Sequence, residues 1–230
     1  MKNLIVYGDI HGCFDELVSL RKKIAPGFGD IEVCVGDVIT KGTHSIKVLD
    51  YLISCGILSV LGNHESKIIR YLKQREKKRI KGEKISLNSD EKNIVNSLND
   101  KHIHYLNSMP LFLKFKNIVI LHGGLQNHMS LEHLSKSDVR RILRMRYLNK
   151  QEKFLKRGEE CESSHFWADV YRGGEGFVIY GHTPFSAPRI SLFALGIDTG
   201  CVYGNRLSAA VFEDCEAPEQ HKIFQVASGL

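Results

Sequence analysis

Three observations predict an α/β fold with parallel strands for this chain. First, the short apolar runs Leu4-Ile5-Val6-Tyr7, Ile31-Glu32-Val33-Cys34-Val35 and Leu58-Ser59-Val60-Leu61 each end at a glycine, as buried strands running into tight turns do. Second, apolar residues at helical spacing separate them: Phe14, Leu17, Val18, Leu20 and Ile24 before Pro26-Gly27, then Ile46, Leu49, Leu52 and Ile53. Third, three such βα units in a row imply right-handed crossovers and a parallel sheet. Ligands of such sheets gather at the carboxyl ends of the strands.

Taken in order, the first strand empties into Gly8-Asp9-Ile10-His11-Gly12. Asp9 and His11 stand two residues apart, so in an extended stub they share a face, and the flanking glycines admit a close approach. A carboxylate and an imidazole on one face suit a divalent cation. Alone, the pair is equally an ordinary loop aspartate and a surface histidine. The second strand runs into Gly36-Asp37 and the third into Gly62-Asn63-His64-Glu65.

Residues 66–108 differ in character and read as a helical, basic insertion. Arg70 to Arg79 is strongly basic, and Asn93 to Leu106 is expected as one helix with Ile94, Val95, Leu98 and Ile103 inward. The bland account of the basic run is a solvated helix face; the functional one is a rim that attracts phosphate-rich substrates. Aromatics are too sparse there for base stacking, so specific nucleic-acid binding is not expected.

From residue 110 the chain is rich in strands. Leu111–Phe115 and Ile118–Leu121 form a hairpin around Lys116-Asn117, and the second run ends in His122-Gly123-Gly124. A helix is expected near Asp138 to Arg146, carrying the string Arg140-Arg141-Ile142-Leu143-Arg144-Met145-Arg146. The strand Phe177–Tyr180 empties into Gly181-His182, and Ile197-Asp198-Thr199-Gly200 precedes a strand from Arg206 to Phe212.

Bulk properties narrow the classes. At 230 residues the chain can bury a real core, and 1–230 reads as one domain. No apolar run reaches roughly 18 residues, so no membrane span is expected, and Met1-Lys2-Asn3 leads into a strand without a signal-peptide apolar region. Six cysteines without Cys-x-x-Cys spacing fit reduced thiols in a cytoplasm better than a disulfide framework or a zinc site. The formal charge of +6 favours an anionic partner. Oligomeric state has no signature here.

Asp9 with His11, Asp37, Asn63, His122 and His182 thus sit at five strand exits. A satisfied core histidine explains any one of them; six ligand-type residues at exit glycines point jointly to metal. Two divalent ions about 3.5–4 Å apart need a bridging carboxylate and mixed oxygen and nitrogen ligands. Asp37 is placed as the bridge, Asp9 and His11 complete the first ion, and Asn63, His122 and His182 the second. His64 directly follows a ligand, the position of a general acid for a leaving oxygen.

These blocks, in this order over residues 4 to about 212, resemble the motif set of the PPP-type (calcineurin-like) metallophosphoesterases. The resemblance implies a four-layer α/β/β/α sandwich with mixed sheets. It implies a dinuclear site served by manganese, with iron or zinc as alternatives, and a bridging hydroxide attacking phosphorus in line without a phospho-enzyme. Asp9, His11, Asp37, Asn63, His122 and His182 match the family's ligands and His64 its general acid. Phe166-Trp167-Ala168-Asp169-Val170-Tyr171, Tyr180-Gly181-His182-Thr183-Pro184 and Ile197-Asp198-Thr199-Gly200 look most like the small bacterial branch, which holds protein phosphatases and symmetrical diadenosine tetraphosphatases.

One block departs from the family. Gly-Asp-x-x-Asp-Arg-Gly is replaced by Gly36-Asp37-Val38-Ile39-Thr40-Lys41-Gly42. Thr40 can hydrogen-bond the acid histidine but brings no charge, so His64 is expected to have a lowered pKa. Lys41 keeps the phosphate-gripping charge without the guanidinium fork. A second phosphate-gripping arginine is sought at Arg146 or Arg144, with Arg157 and Arg172 as rivals, and Asp198 is read as support behind the ligands or a plain turn aspartate. The leading expectation is hydrolysis of phosphomonoesters, as on phospho-Ser/Thr proteins. The alternatives are symmetrical hydrolysis of diadenosine tetraphosphate and, of another class, a catalytically weakened binding or regulatory protein.

Overall fold

The computed structural model describes residues 2–76 and 85–229. Strands β1 (Leu4–Tyr7), β2 (Ile31–Cys34) and β3 (Leu58–Ser59) alternate with helices α1 (Phe14–Ile24) and α2 (Ser45–Cys55). The three strands run parallel, with Val6 opposite Val33 and Cys34 opposite Ser59. Helices α3 (Asn63–Glu76), α4 (Ser89–Ser97) and α5 (Asp100–Ser108) follow.

The hairpin of β4 (Phe112–Phe115) and β5 (Ile118–Leu121) leads to α6 (Lys136–Ile142). Next come the small ribbon of β6 (Tyr147–Leu148) with β7 (His165–Phe166), and the short α7 (Trp167–Val170). The chain continues through β8 (Phe177–Tyr180), β9 (Arg189–Ser191), β10 (Ala194–Gly196), β11 (Arg206–Phe212) and β12 (His221–Ala227). Two five-stranded mixed sheets result, ordered β12-β11-β1-β2-β3 and β4-β5-β8-β10-β9. Strands β5, β8 and β10 are parallel, like the first three.

Strand alternation produces the layers. Leu4 and Val6 of β1 face the second sheet, in one apolar cluster with Val33, Ile120, Ile179 and Leu195. Ile5 and Tyr7 point the other way, into a cluster with Leu17 and Leu20 of α1 and Leu49 and Leu52 of α2. On the outer face of the second sheet, Val119, Leu121, Val178 and Tyr180 pack with Ile142, Met145 and Trp167. Helices therefore cover both sheets, and strands buried on both faces read as continuous apolar runs. The one charged residue in those runs, Glu32, is held by the Arg21 guanidinium at 2.9 Å and the Tyr7 hydroxyl at 2.6 Å.

Local chemistry corrects several expectations. The helix expected over Asn93–Leu106 is two, α4 and α5, because Leu98 is extended and Asn99 opens a new helix by accepting from the His102 N–H. The helix near Asp138–Arg146 stops at Ile142, whose carbonyl is taken by the N–H groups of Gly123 and Gly124 at 3.0 and 3.1 Å. Strand β3 is shorter than Leu58–Leu61, since Leu61 N–H bonds the Pro110 carbonyl outside the sheet. The basic run Arg70–Arg79 lies on α3 as far as Glu76, and its remainder falls outside the described residues. Ile68, Ile94, Val95 and Leu106 of α3, α4 and α5 join the same apolar cluster as α1 and α2. Among the described residues no helix is long and apolar enough to cross a membrane.

Candidate metal centre

The exits of β1, β2, β5 and β8, with the start of α3, deliver their polar side chains to one place. Asp37 is the hub: its Oδ2 stands 3.6 Å from His11 Nε2, 3.3 Å from His122 Nε2 and 3.9 Å from His64 Nε2. Its Oδ1 accepts the His64 backbone N–H at 3.0 Å. Asn63 Oδ1 lies 3.1 Å from His122 Nε2, and the His182 N–H donates to both Asp9 oxygens at 3.2 Å. Two overlapping groups, His11-Asp37-His64 and Asp37-His122-His182, bring one ligand atom per residue within 4.8 Å of one another. All seven residues expected at the centre are thus brought together.

Glycines make the convergence possible. A Cβ on Gly181 would overlap the Asp9 carboxylate, and one on Gly62 would overlap Asp37 and Glu65. The turns are also strained: His11, Asp37, Thr40, Lys41 and His182 all carry positive φ, from 46° to 73°, a region side-chain-bearing residues enter at a cost.

The donor set fits divalent cations. His11 Nδ1 faces the Ile39 carbonyl at 3.1 Å and His122 Nδ1 the Val35 carbonyl at 2.9 Å. Each ring then donates Nδ1–H outward and turns Nε2 to the centre, the orientation backbone carbonyls impose on ligating histidines. Two ligands of one ion, each about 2.0–2.2 Å from it, stand near 3–3.5 Å apart, the range of the Asp37–His122 contact. Cationic groups already face the inward nitrogens: Lys41 Nζ lies 2.7 Å from His11 Nε2, and Arg146 Nε donates to His182 Nε2 at 3.2 Å.

Charge in the cluster is tightly balanced. Burial opposes the charged form of Asp37, but His122, His11 and His64 around it hold it well below the usual carboxylate range. Burial would likewise depress His122; the Asp37 carboxylate overrides it and pushes that imidazolium up to about 10. A cation beside His122 competes with that proton. Burial, followed by Lys41 and His64, lowers His11 to about 4. Burial and the nearby Asp198 raise Asp9 well above the usual carboxylate range.

Thr40 hydrogen-bonds His64, with Oγ1 2.7 Å from Nδ1. His64 is depressed as expected, but the leading cause is burial, with Lys41 and His122 adding to it. The double variant Thr40→Asp, Lys41→Arg should raise turnover on phenyl phosphate, whose leaving oxygen needs a proton, by about 3–10-fold. It should also carry the alkaline limb of kcat to higher pH, because a carboxylate beside His64 raises its pKa and keeps the acid protonated further up the scale. Unchanged turnover with an unmoved limb would count against His64 as the acid.

Of the arginines considered, Arg146 reaches the centre, with an Nη also donating to the His182 carbonyl at 3.3 Å. Arg144 and Arg157 line the wall of the adjoining cleft. Arg172 pairs with Glu152 away from it. Asp198 does both things asked of it: it accepts the Gly200 N–H at 3.0 Å within its own turn, and it lines the cleft. Burial, with Asp37 nearby, pushes it up to about 6.

Three features went unrecognised in the sequence. Glu65, fully buried, accepts the N–H groups of Asp37 and Ile39 at 3.0 and 3.2 Å and so holds the Asp37 turn. Its signal was its place in Gly62-Asn63-His64-Glu65. Tyr203 and the Arg140-Arg141 pair border the same cleft of about 850 Å³. Gly200 and Gly204 on either side of Tyr203 were the available cue.

Comparison with known proteins agrees with this geometry. The Oceanobacillus iheyensis protein named bis(5'-nucleosyl)-tetraphosphatase PrpE [asymmetrical] is 32% identical over 229 residues, covering 92% of this chain and 89% of that protein. The Bacillus subtilis protein of the same name is 28% identical over 240 residues, covering 92% and 91%. A crystal structure described as that of a candidate diadenosine tetraphosphatase superposes with a TM-score of 0.81 at 26% identity, covering 99% of this chain and 94% of that one. Residues 2–214 match the family model for calcineurin-like phosphoesterases. Paired mixed sheets, histidine and aspartate side chains at the strand exits and that match together make this chain a hydrolase of the calcineurin-like metallophosphoesterase family.

Proposed function

We propose that the protein hydrolyses a dinucleoside tetraphosphate asymmetrically, giving a nucleoside monophosphate and a nucleoside triphosphate. The observation that carries this reading is the cleft beside the histidine cluster, whose wall holds Arg140, Arg141, Arg144, Arg146, Lys156 and Arg157. One phosphomonoester uses few of these cations; a tetraphosphate chain uses many. The names of the Oceanobacillus and Bacillus relatives support the same class. They also favour asymmetrical over symmetrical cleavage, and a nucleotide over the phosphoprotein first expected.

In this reading Asp9, His11 and Asp37 hold one divalent cation, and Asp37, Asn63, His122 and His182 hold a second, manganese before iron or zinc. When bound, such a pair neutralises phosphate charge and lowers the pKa of an attacking water. Arg146 and Lys41 steady the phosphate oxygens. His64 gives its Nε2 proton to the departing phosphate oxygen while Thr40 accepts from Nδ1, fixing the ring. Free cysteines throughout suit a reducing, cytoplasmic setting.

Anion-exchange analysis of diadenosine tetraphosphate incubated with the manganese-supplemented protein tests the proposal, with a phosphopeptide and p-nitrophenyl phosphate alongside. Equimolar AMP and ATP are expected. ADP as sole product would restore symmetrical cleavage, preference for the phosphopeptide would restore the phosphoprotein reading, and inactivity on all three would overturn the proposal.

A further inference from the structure

The cleft is chemically lopsided. At its His11 edge stands one aromatic side chain, Tyr203, 62% exposed and the only exposed large apolar residue among the described ones that lines the cleft. Lys41 ties it to the centre: Nζ lies 5.1 Å from the Tyr203 ring centroid and 2.7 Å from His11 Nε2. The ring is held on a rigid mount. A 3-10 turn, Cys201–Tyr203, is closed by the Tyr203 N–H to the Gly200 carbonyl at 3.0 Å, between left-handed Gly200 and Gly204. A fixed, exposed aromatic face among cations is what a nucleobase stacks on at low entropic cost.

Phe154, elsewhere in the cleft, is half-buried against the core, and the recess beside Asn63 has no aromatic in its lining. This recess of about 230 Å³ opens off the same cleft, lined by Lys67 and Arg70 of α3 with Arg140 and Arg144 from the α6 segment. Lys67 pairs with Glu91 at 2.7 Å, whereas Arg70, Arg140 and Arg144 have no carboxylate partner among the described residues. Unpaired cations this close together repel one another and are relieved by a polyanion. Asn63, Arg140 and Arg144 line both the cleft and this recess, so a phosphate chain that leaves the centre past Asn63 enters it.

We infer that Tyr203 is the stacking platform for the nucleoside whose α-phosphorus is attacked, and that the departing triphosphate runs into the recess lined by Lys67, Arg70, Arg140 and Arg144. The inference rests on the tetraphosphatase reading and adds an orientation to it. A bond forms between the water oxygen and the α-phosphorus. The bond from that phosphorus to the bridging oxygen breaks, its electron pair stays with the nucleoside triphosphate, and His64 supplies the proton.

Hydrolysis in water enriched in heavy oxygen reads the orientation: the label is expected in AMP, and label in ATP would overturn it. Tyr203→Ala should lower the ratio of kcat/KM on diadenosine tetraphosphate to that on p-nitrophenyl phosphate by about 10-fold or more, through KM, with Tyr203→Phe close to wild type. An unaltered ratio would remove the platform. A calorimetric arm separates this from the wider reading. On the purified full chain, Tyr203→Ala should weaken AMP binding but not ribose 5-phosphate binding, and equal effects on both would overturn the stacking role. Should the wild type leave diadenosine tetraphosphate intact, the tetraphosphatase reading fails, and the AMP contrast still decides the role of Tyr203.

Discussion

Asp37→Asn is expected to reduce kcat by on the order of 10³-fold or more, since losing even one positioned hydrogen-bond donor can cost roughly 10²–10³. The asparagine keeps the size of the side chain and an oxygen to accept the His64 N–H, now at 3.0 Å from Oδ1. It loses the charge that faces Nε2 of His11, His64 and His122. Manganese content by elemental analysis should fall together with activity, while the far-ultraviolet dichroism stays that of the folded chain. A variant that retained both metal and turnover would dissolve the centre.

His64→Asn is expected to behave differently. A positioned general acid contributes roughly 10²–10⁴ in rate, so turnover on a poor leaving group such as phenyl phosphate should drop by about 10²-fold or more. The deficit should shrink on p-nitrophenyl phosphate, whose leaving oxygen departs without a proton. Bound manganese should persist, because the ring spends its Nδ1 on Thr40 and its Nε2 keeps 3.9 Å from Asp37. Loss of metal in this variant would make His64 a ligand instead, as its grouping with His11 and Asp37 allows.

Much of the centre was legible in the chain because strands covered on both faces announce themselves. Leu4–Tyr7, Ile118–Leu121 and Phe177–Tyr180 are apolar throughout, so the first polar residues after each had to be at the sheet's edge. What stayed hidden depends on placement rather than pattern. Glu65, in the first turn of α3, looks like an acid complementing a helix dipole, and only the fold shows that two N–H groups of the Asp37 turn bind it. The wall formed by Arg140 and Arg144 exists because α6 ends where two glycine N–H groups claim its last carbonyl, which no local signal encodes. The break at Asn99 was masked because its capping partner is His102 rather than the usual glutamate or glutamine. Strand β12 escaped notice because Lys222 and Gln225 interrupt its apolar pattern at a half-exposed edge of the sheet.

The five non-glycine residues around the centre that carry positive φ have a consequence for how this chain can vary. Each such backbone costs on the order of 1–3 kcal/mol, and His11, Asp37, Thr40, Lys41 and His182 are concentrated in three neighbouring turns. Substituting glycine at any of them relaxes the turn and removes the chemistry in the same step. Selection for a sturdier molecule and selection for a working one therefore pull in opposite directions at these positions, and the molecule is least comfortable where it is most useful.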